Sequence, residues 1–450
     1  MKQTILSFLM MSFPLITNAE TVEIDGIYYN LISKSKSAEV THKPSGYYSG
    51  EIVIPEKVTF GSTDYPVSSI GENAFYCCQD LTSITIPKSV TFIGQDAFDT
   101  CIKLSKVNIS DLDAWCNIKF SNNPLRYAHH LYINGNEIKD LEIPNTVSSI
   151  SFSAFSGCTE LTSVIIPSSV TSIGNSAFGG CSSLTSLSIG TNVTSIGNFA
   201  FSGCSALVSV TIPNSVTSIG WGVFSYCNSL SSINVDNDNK QYDSRNECNA
   251  IIETHSNTIL TGCKSTIIPN SVTAIGYSAF EGCSGLVSIT IPNNVITISD
   301  QAFSECSNLT TIIIGNGVKY FDSYPFYNCQ ELTDVYCLIE DIYSTNYFGS
   351  GARYTYEAAF MESKVEYATL HVPETAIDAY KTTAPWRDFG KIVALTEDDP
   401  IPSGIDRQTI YNSAYPVDYY TSDGITLSKP KRGLNIIKMT NGTTKKIMKR

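Results

Sequence analysis

The sequence predicts a β-rich solenoid, a chain wound into stacked rungs, followed by a small separate β-domain. Three observations predict it. The pair Phe-x-x-Cys recurs at Phe75/Cys78, Phe98/Cys101, Phe155/Cys158, Phe178/Cys181, Phe201/Cys204, Phe224/Cys227, Phe280/Cys283, Phe303/Cys306 and Phe326/Cys329. Its step is 23 residues except for two gaps of 57 and 56, and a fixed period of this size marks a stacked-repeat architecture. Polar positions are filled by Ser and Thr, with charged residues at only 16%, a composition of ordered β-structure rather than of disorder. The third observation is that the period stops before the last segment, which is basic and carries turn signals at Asp423-Gly424 and Asn441-Gly442.

The elements follow in order. "MKQTILSFLMMSFPLITNAE" has Lys2, an apolar run from Ile5 to Ile16 and small residues before Glu20; residues 1–19 read as a secretory signal peptide. Residues 20–65 are assigned to an N-terminal β cap and 66–337 to the solenoid. The two long gaps equal one period plus 34 or 33 residues, so insertions at about 110–137 and 236–262 leave the chain and return it to register. Residues 338–396 close the solenoid. Residues 397–403, with Glu397, Asp398 and Asp399, read as a solvated linker to the β-domain at 404–450.

Within "LTSVIIPSSVTSIG", Leu161, Val164 and Ile166 stand at positions 1, 4 and 6, the L-x-x-L-x-L core of a leucine-rich repeat. Alternation makes a short strand with Ser163 and Ile165 pointing away from the core, and Pro167 ends it. Val170 and Ile173 turn inward on the next side, Gly174 permits the corner, and Ala177 and Phe178 fill the convex side on a single helical turn. Some rungs depart: Gly190 and Gly315 replace the Pro, Asp322 the corner Gly, and Pro325 the Ala. One rung cannot bury these groups alone. Each buried Phe, Leu or Ile contributes about 1.5–3 kcal/mol only when the next rung covers it.

The unit "AFxxCxxLxSIxIPxSVTSIG" closely resembles the BspA-like leucine-rich repeats of bacterial surface proteins, especially those of Bacteroides relatives, over roughly Val53 to Leu395. The resemblance implies a right-handed superhelix with a parallel concave sheet, on a cell-surface or secreted, outer-membrane-associated protein of the adhesin kind. The C-terminal segment resembles the small β-domains that serve as sorting signals for type IX secretion, through Tyr420, Gly424, Pro430, Gly433, Gly442 and Lys446.

Fourteen cysteines in an exported chain would normally suggest disulfides. Nine of them recur once per rung at one core position, where Cys packs as a small hydrophobe. Parallel side chains on neighbouring rungs are poorly placed to bridge, so a reduced, buried ladder is expected. Cys77, Cys116, Cys248, Cys263 and Cys337 lie outside it. Cys263 stands where a strand Leu belongs, and Cys248, in the same insertion, is near enough to reach it.

The formal charge of −13 disfavours nucleic acid, because binding phosphates needs a basic face. The His residues show no metal spacing, and His129–His130 reads as an exposed pair in an insertion. The Ser-Gly steps are repeat corners rather than a hydrolase elbow. No catalytic, cofactor-binding or metal constellation is found, and the expectation is a non-enzymatic monomer without a membrane-spanning segment. The candidate binding face is the outward pair of each strand: Ser163 and Ile165, Ser186 and Ser188, Ser209 and Thr211, Ser232 and Asn234, Ser288 and Thr290, Thr311 and Ile313. Such a uniform face suits many weak contacts with a protein or glycan on host or microbial surfaces, and the insertions are the sources of specificity. A glycan-binding accessory role in polysaccharide uptake would want exposed aromatics, for which Trp115, Tyr127, Tyr132 and Tyr242 are the candidates. A structural envelope protein is the third reading.

Overall fold

The computed structural model describes residues 20–342, 358–401, 416–421, 426–427, 433–439 and 444–449. The expected signal peptide and the turns at Asp423-Gly424 and Asn441-Gly442 lie outside the described residues. The chain forms two compact units, one running to Lys139 and including Ser149–Glu160, the other holding Asp140–Ser148 and everything from Leu161 onward. Both are β-solenoids.

In the first unit, an antiparallel meander of Glu20–Ile24, Ile27–Ile32 and Ser37–Thr41 leads into the stack. The strand Ser37–Thr41 pairs in parallel with Thr63–Ile70, which continues through Phe92–Ile93 to Lys119–Phe120. A second sheet runs from Gly50–Val53 through Leu81–Ile86 and Lys106–Ile109 to Leu131–Ile133, parallel throughout. The last strand of each series comes from the first insertion. That insertion is therefore a rung written in a different sequence, completed by the helix Leu112–Asn117, whose first turn is capped by the Asp111 carboxylate accepting from the Ala114 amide.

In the second unit the L-x-x-L-x-L segments make the expected parallel strands. Asp140–Glu142, Ser163–Ile165 and Ser186–Ser188 pair in sequence, as do Ser209–Ile212 and Ser232–Val235. After the second insertion the sheet resumes as Ser288–Ile291, Thr311–Ile314, Asp334–Cys337, Thr369–Val372 and Lys391–Ala394. Two-residue strands on the next side form another parallel ladder, for example Ser172–Ile173, Ser195–Ile196 and Ser218–Ile219. Threonine side chains reinforce that ladder. The hydroxyls of Thr171, Thr194 and Thr217 donate to the carbonyls of Ser148, Thr171 and Thr194, each 23 positions back. Much of the Ser/Thr richness is thus structural.

The third side differs from expectation. No helical turn forms around Ala177 and Phe178; the segment is a run of turns. Alternate amides bond across rungs, Phe178 N–H donating to Ala200 O (2.8 Å) and Phe201 N–H to Val223 O (3.0 Å), while those of Ala177 and Gly179 close turns within the rung on Gly174 O and Ser176 O. Two left-handed residues per rung make this possible, at Ser176 and Gly180, then at Phe199 and Gly203. A helical turn would have spent the same amides inside the rung. The corner glycine is likewise needed for a reason other than left-handed backbone. At Gly220 φ is not positive, but a Cβ would stand 2.4 Å from the Asn198 amide nitrogen, so it is close approach of the neighbouring rung that excludes a side chain.

Phe178, Phe201 and Phe224 stack face to face at 5.3 and 5.6 Å. Beside them the cysteines are all free, Cys248 and Cys263 included, and each of several ladder thiols donates to the Phe carbonyl 26 positions back, as Cys306 does to Phe280 O at 3.2 Å. Cys has the right size for the site and a weak donor for the second lone pair of a carbonyl that already closes its own turn, as Phe280 O does with Cys283 N–H. Cys77 stands outside the ladder because it holds a left-handed turn position, φ +58°.

At the C-terminal end Trp386 is fully buried, edge-on to Phe321, Phe360 and Tyr380. The segment after the last strand is solvated in part, Glu397 and Asp398 being exposed, and residues 402–403 of the expected linker lie outside the described residues. Asp399 is 9% exposed and accepts from the Thr396 amide at 2.6 Å, and Ile401 is buried with Leu395 against Ile313, Tyr336 and Leu338. Strands Pro416–Thr421, Thr426–Leu427, Gly433–Met439 and Thr444–Lys449 form an antiparallel sheet of their own.

Candidate binding site

The expected binding face exists as geometry. Parallel register sets Ser163 beside Ser186 and Ile165 beside Ser188, Ser209 beside Ser232 and Thr211 beside Asn234, and Ser288 beside Thr311. Ser186, Ser188, Ser209, Thr211, Ser232, Asn234 and Ser288 are exposed, as is Ile165, while Ser163, Thr290 and Thr311 are half-buried. Ser163 is engaged: with Thr162 it donates to Asp140 Oδ1, and these bonds, Ser163's first, hold that carboxyl below its ordinary range. Ile313 is a correction. It is 5% exposed, because Leu395 and Ile401 fold back over it, and it contributes to a core.

The insertion aromatics also divide. Trp115 is 1% exposed, its Nε1 donating to Ala154 O at 2.9 Å and its ring edge-on to Phe120. Tyr242 is 4% exposed, with its hydroxyl accepting from the Ile219 amide. Both complete cores; Trp115 offers no face to a ligand, and Tyr242 reaches the floor of the larger cleft only with the little surface that burial leaves it. Tyr127 is half-buried, its hydroxyl donating to Asp99 Oδ1 and accepting from the Thr100 amide. Tyr132 is half-buried with Lys106 Nζ 4.6 Å above its ring. An exposed aromatic pair lies elsewhere: Trp221, 53% exposed, is 5.5 Å from Tyr277, at equivalent corner positions where most other rungs carry a polar residue, such as Gln95, Asn175, Asn198 or Asp300. His129 and His130 diverge, one facing Gly157 O at 3.2 Å and the other Glu137.

In the second unit the strand ladder stops between Ser186–Ser188 and Ser209–Ile212, where both rungs keep their strands, and again where one rung has no strand at all. Between Ser232–Val235 and Ser288–Ile291 the rung reads Cys263-x-x-Thr266-x-Ile268 and makes no strand. Its core residues stay inside, Cys263 at 1% and Ile268 at 6% exposure. The second insertion holds the rung in place of a ladder: Ile267 N–H donates to Cys248 O (3.1 Å) and Thr266 Oγ1 to Asn249 O (2.7 Å). Thr266 supplies the hydroxyl that Leu cannot, which accounts for the departure from the repeat. Ile267 is left 77% exposed.

Clefts open on both sides of this ridge. The larger, about 790 Å³, is walled by Ser232, Asn234 and Asp236 from the strand and by Asn246, Glu247 and Asn249 from the insertion. The smaller, about 440 Å³, is lined by Lys264, Ile267, Asn270, Ser288 and Thr290. Four of the expected face residues line the two clefts. The insertion wall is rigid. Arg245 grips Asp243 through two bonds of 2.8 and 2.6 Å and reaches Asn257 at 2.8 Å. Ser244 Oγ accepts from the Val235 amide and reaches Asn234 Oδ1, tying the loop to the strand. Asn246, Glu247 and Asn249 all hold left-handed backbone, with φ of 58°, 53° and 53°; such strain persists only where the surroundings impose it.

Residues 56–129, 126–248 and 256–352 match the "BspA type Leucine rich repeat region" in six copies, which is more than half of the chain. The protein belongs to the BspA-type leucine-rich repeat family. As a BspA-type protein, it is similar to a leucine-rich cell surface protein of Faecalibacterium prausnitzii A2-165, at 27% identity and TM-score 0.54, over 76% of this chain and 97% of that one. A leucine-rich repeat protein of Bacteroides ovatus is similar at 24% identity and TM-score 0.42, covering 83% and 100%. The pneumococcal vaccine antigen PcpA is similar at 16% and 0.43, covering 84% and 99%. No curated protein matches this BspA-type chain. Among the described residues no helix is long and apolar enough to cross a membrane.

Sequence reasoning missed Asp236, Asn246, Glu247, Asn249 and Ile267. The available signal was the broken core pattern at Cys263 and Thr266, which marks the rung that gives up its strand.

Proposed function

We propose that this is a non-catalytic, surface-displayed binding protein that holds a macromolecule of host or microbial surfaces across the break in its strand face. One observation carries the reading. The break brings Ser232, Asn234, Ser288 and Thr290 together with the second insertion around two clefts and an exposed apolar ridge at Ile267. Elsewhere the face is a repetitive lawn of small hydroxyls, which favours no one partner. Here shape, an apolar anchor and fixed polar groups coincide, as in the centre of a recognition site. The BspA-type family and the cell-surface description of the Faecalibacterium protein support surface display. The self-contained antiparallel sheet near the C-terminus supports a detachable sorting unit, whose deletion at 404–450 should retain the solenoid inside the envelope.

The test is capture by the full chain of host extracellular proteins and bacterial surface polymers, repeated with Ile267→Glu. Ile267 is exposed, so the fold survives, and capture should fall about tenfold, in line with loss of an anchoring residue. Undiminished capture would move the site away from the break.

A further inference from the structure

We propose that the larger cleft is a carbohydrate site, taking one or two residues of a neutral oligosaccharide; this rests on the binding function proposed above and names its ligand class.

Ligand pockets of 300–1,000 Å³ are usually mostly apolar with a few polar groups. This cleft, about 790 Å³, inverts that ratio: its exposed side chains are Ser232, Asn234, Asn237, Asn246 and Glu247, with Asp236 and Asn249 half-buried. Ile233 and Val235 face inward and are buried. An apolar ligand would strip water from these groups and return nothing.

The charges narrow the choice. Arg245, the one cation in the wall, commits four of its five N–H donors to Asp243, Asn257 and Ser271. Asp236 and Glu247 are left without a cation, so anionic ligands such as phosphates and carboxylates are repelled. The remaining groups are mixed. Asn234 has its Oδ1 turned to Ser244, which leaves its amide N–H₂ to donate; Asp236 has one oxygen on the Asp238 amide, which leaves the other to accept. Amides at 246 and 249 do both, and Glu247 accepts only. A sugar hydroxyl donates once and accepts twice, so a row of hydroxyls matches such an alternation. A peptide does not. Peptide recognition draws on a free strand edge, apolar pockets or a basic cluster, and the edge of the neighbouring strand is met at Val235 by Ser244.

Preorganisation supports the same reading. Hydroxyl ligands gain little per bond because water competes equally, so useful affinity requires walls that do not have to be ordered on binding. The Arg245 clamp, the Ser244 bridge and the left-handed backbone at 246, 247 and 249 supply that rigidity.

The experiment uses the full chain and a panel of neutral gluco-, manno-, galacto- and xylo-oligosaccharides, read by isothermal titration and on an array, with calcium chloride alone as a separate arm. Asn246→Gly removes the side chain while keeping the left-handed backbone, and Asn234→Ala removes the donor from the strand. The native protein should bind at least one panel member, each variant should lose about tenfold, and Trp221→Ala should bind as the native protein does. The inference is overturned if no neutral oligosaccharide binds, if the two cleft variants bind unchanged, if Trp221→Ala alone abolishes binding, or if calcium alone binds the cleft and sugars do not. In the first case, continued capture of surface proteins dependent on Ile267 leaves the broader binding function standing, so the two failures are separable.

Discussion

The thiol of Cys227 donates to the carbonyl oxygen of Phe201, 3.2 Å away and 26 positions earlier in the chain. The same bond joins Cys101 to Phe75 and Cys329 to Phe303. Burial, rather than this bond, sets the chemical state of the ladder. Burial pushes the thiols of Cys101 and Cys329 up to about 12, so they carry almost no thiolate at neutral pH, and the thiolate is the reactive form. At pH 8 a thiol reagent should therefore label the native protein at the half-buried Cys77 and label the ladder only after denaturation. Rung-to-rung disulfides in a mass spectrum of native protein would overturn this.

Truncating Phe201 removes the middle ring of the Phe178–Phe201–Phe224 stack. Phe201→Ala should cost about 3–5 kcal/mol in urea unfolding. Rungs couple chiefly to neighbours, so raised hydrogen exchange should be concentrated between Phe178 and Phe224. Uniform loosening throughout the second unit would contradict the stacked-rung account.

Trp115→Ala discriminates a core role from a ligand role. With Trp115 buried and bonded to Ala154 O, the variant should lose about 3–5 kcal/mol of stability. Its folded fraction should bind any glycan as the native protein does. Normal stability with lost binding would reverse the assignment.

Asp300 yields a pH signature. Burial, and next the charge of Asp322, raise its carboxyl above the ordinary 3.8, and its Oδ1 is buried without a hydrogen-bond partner. The group is easier to ionise in the unfolded chain than in the fold. Its favourable contribution is complete below about pH 3.8 and disappears as pH rises through the raised value. Asp300→Asn should raise the urea midpoint at pH 7 and give no gain at pH 3. An equal gain at both values would show that charge is not the cause.

The covered end of the strand face makes a truncation test. Ending the chain after Ile401 should leave Ile313 covered. Ending it after Ala394 should expose Ile313, Tyr336 and Leu338 together, detected as binding of a hydrophobic dye. Dye binding by neither form would mean that the segment is not what shields this surface.

The rungs were legible in the sequence because each repeats the same periodic demand: Leu161, Val164 and Ile166 alternate inward, and nine Phe-x-x-Cys pairs keep count. The outward direction of Ser232, Asn234 and Ser288 followed from the same alternation. What repetition cannot reveal is how non-repeating segments return to the stack. Trp115 and Tyr242 looked like surface aromatics in insertions, yet each insertion must cover a rung end and uses its largest side chains for that. Ile313 obeyed the alternation and was still buried, because Ile401, 88 positions later, lies over it. The helical turn expected at Ala177 failed for a subtler reason. Ser176 and Gly180 in left-handed backbone let the turn bond to the next rung, and nothing in a Ser announces a positive φ. The clefts beside Ile267 depended on Thr266 bonding to Asn249 O, a contact between segments with no shared period.

The ladder thiols also set up a race. Once a rung is covered, its Cys is out of reach of oxidants, but a chain that has not yet coiled offers fourteen similar thiols, and even eight can pair in 105 ways. In an oxidising medium, collapse must therefore outrun sulfur chemistry. Adjacent rungs pair residues 23 positions apart, so each closure bridges a modest stretch of chain, but parallel pairing of this kind is slow to form. A protein whose interior is lined with unpaired cysteines is thus durable once folded and vulnerable until its rungs close.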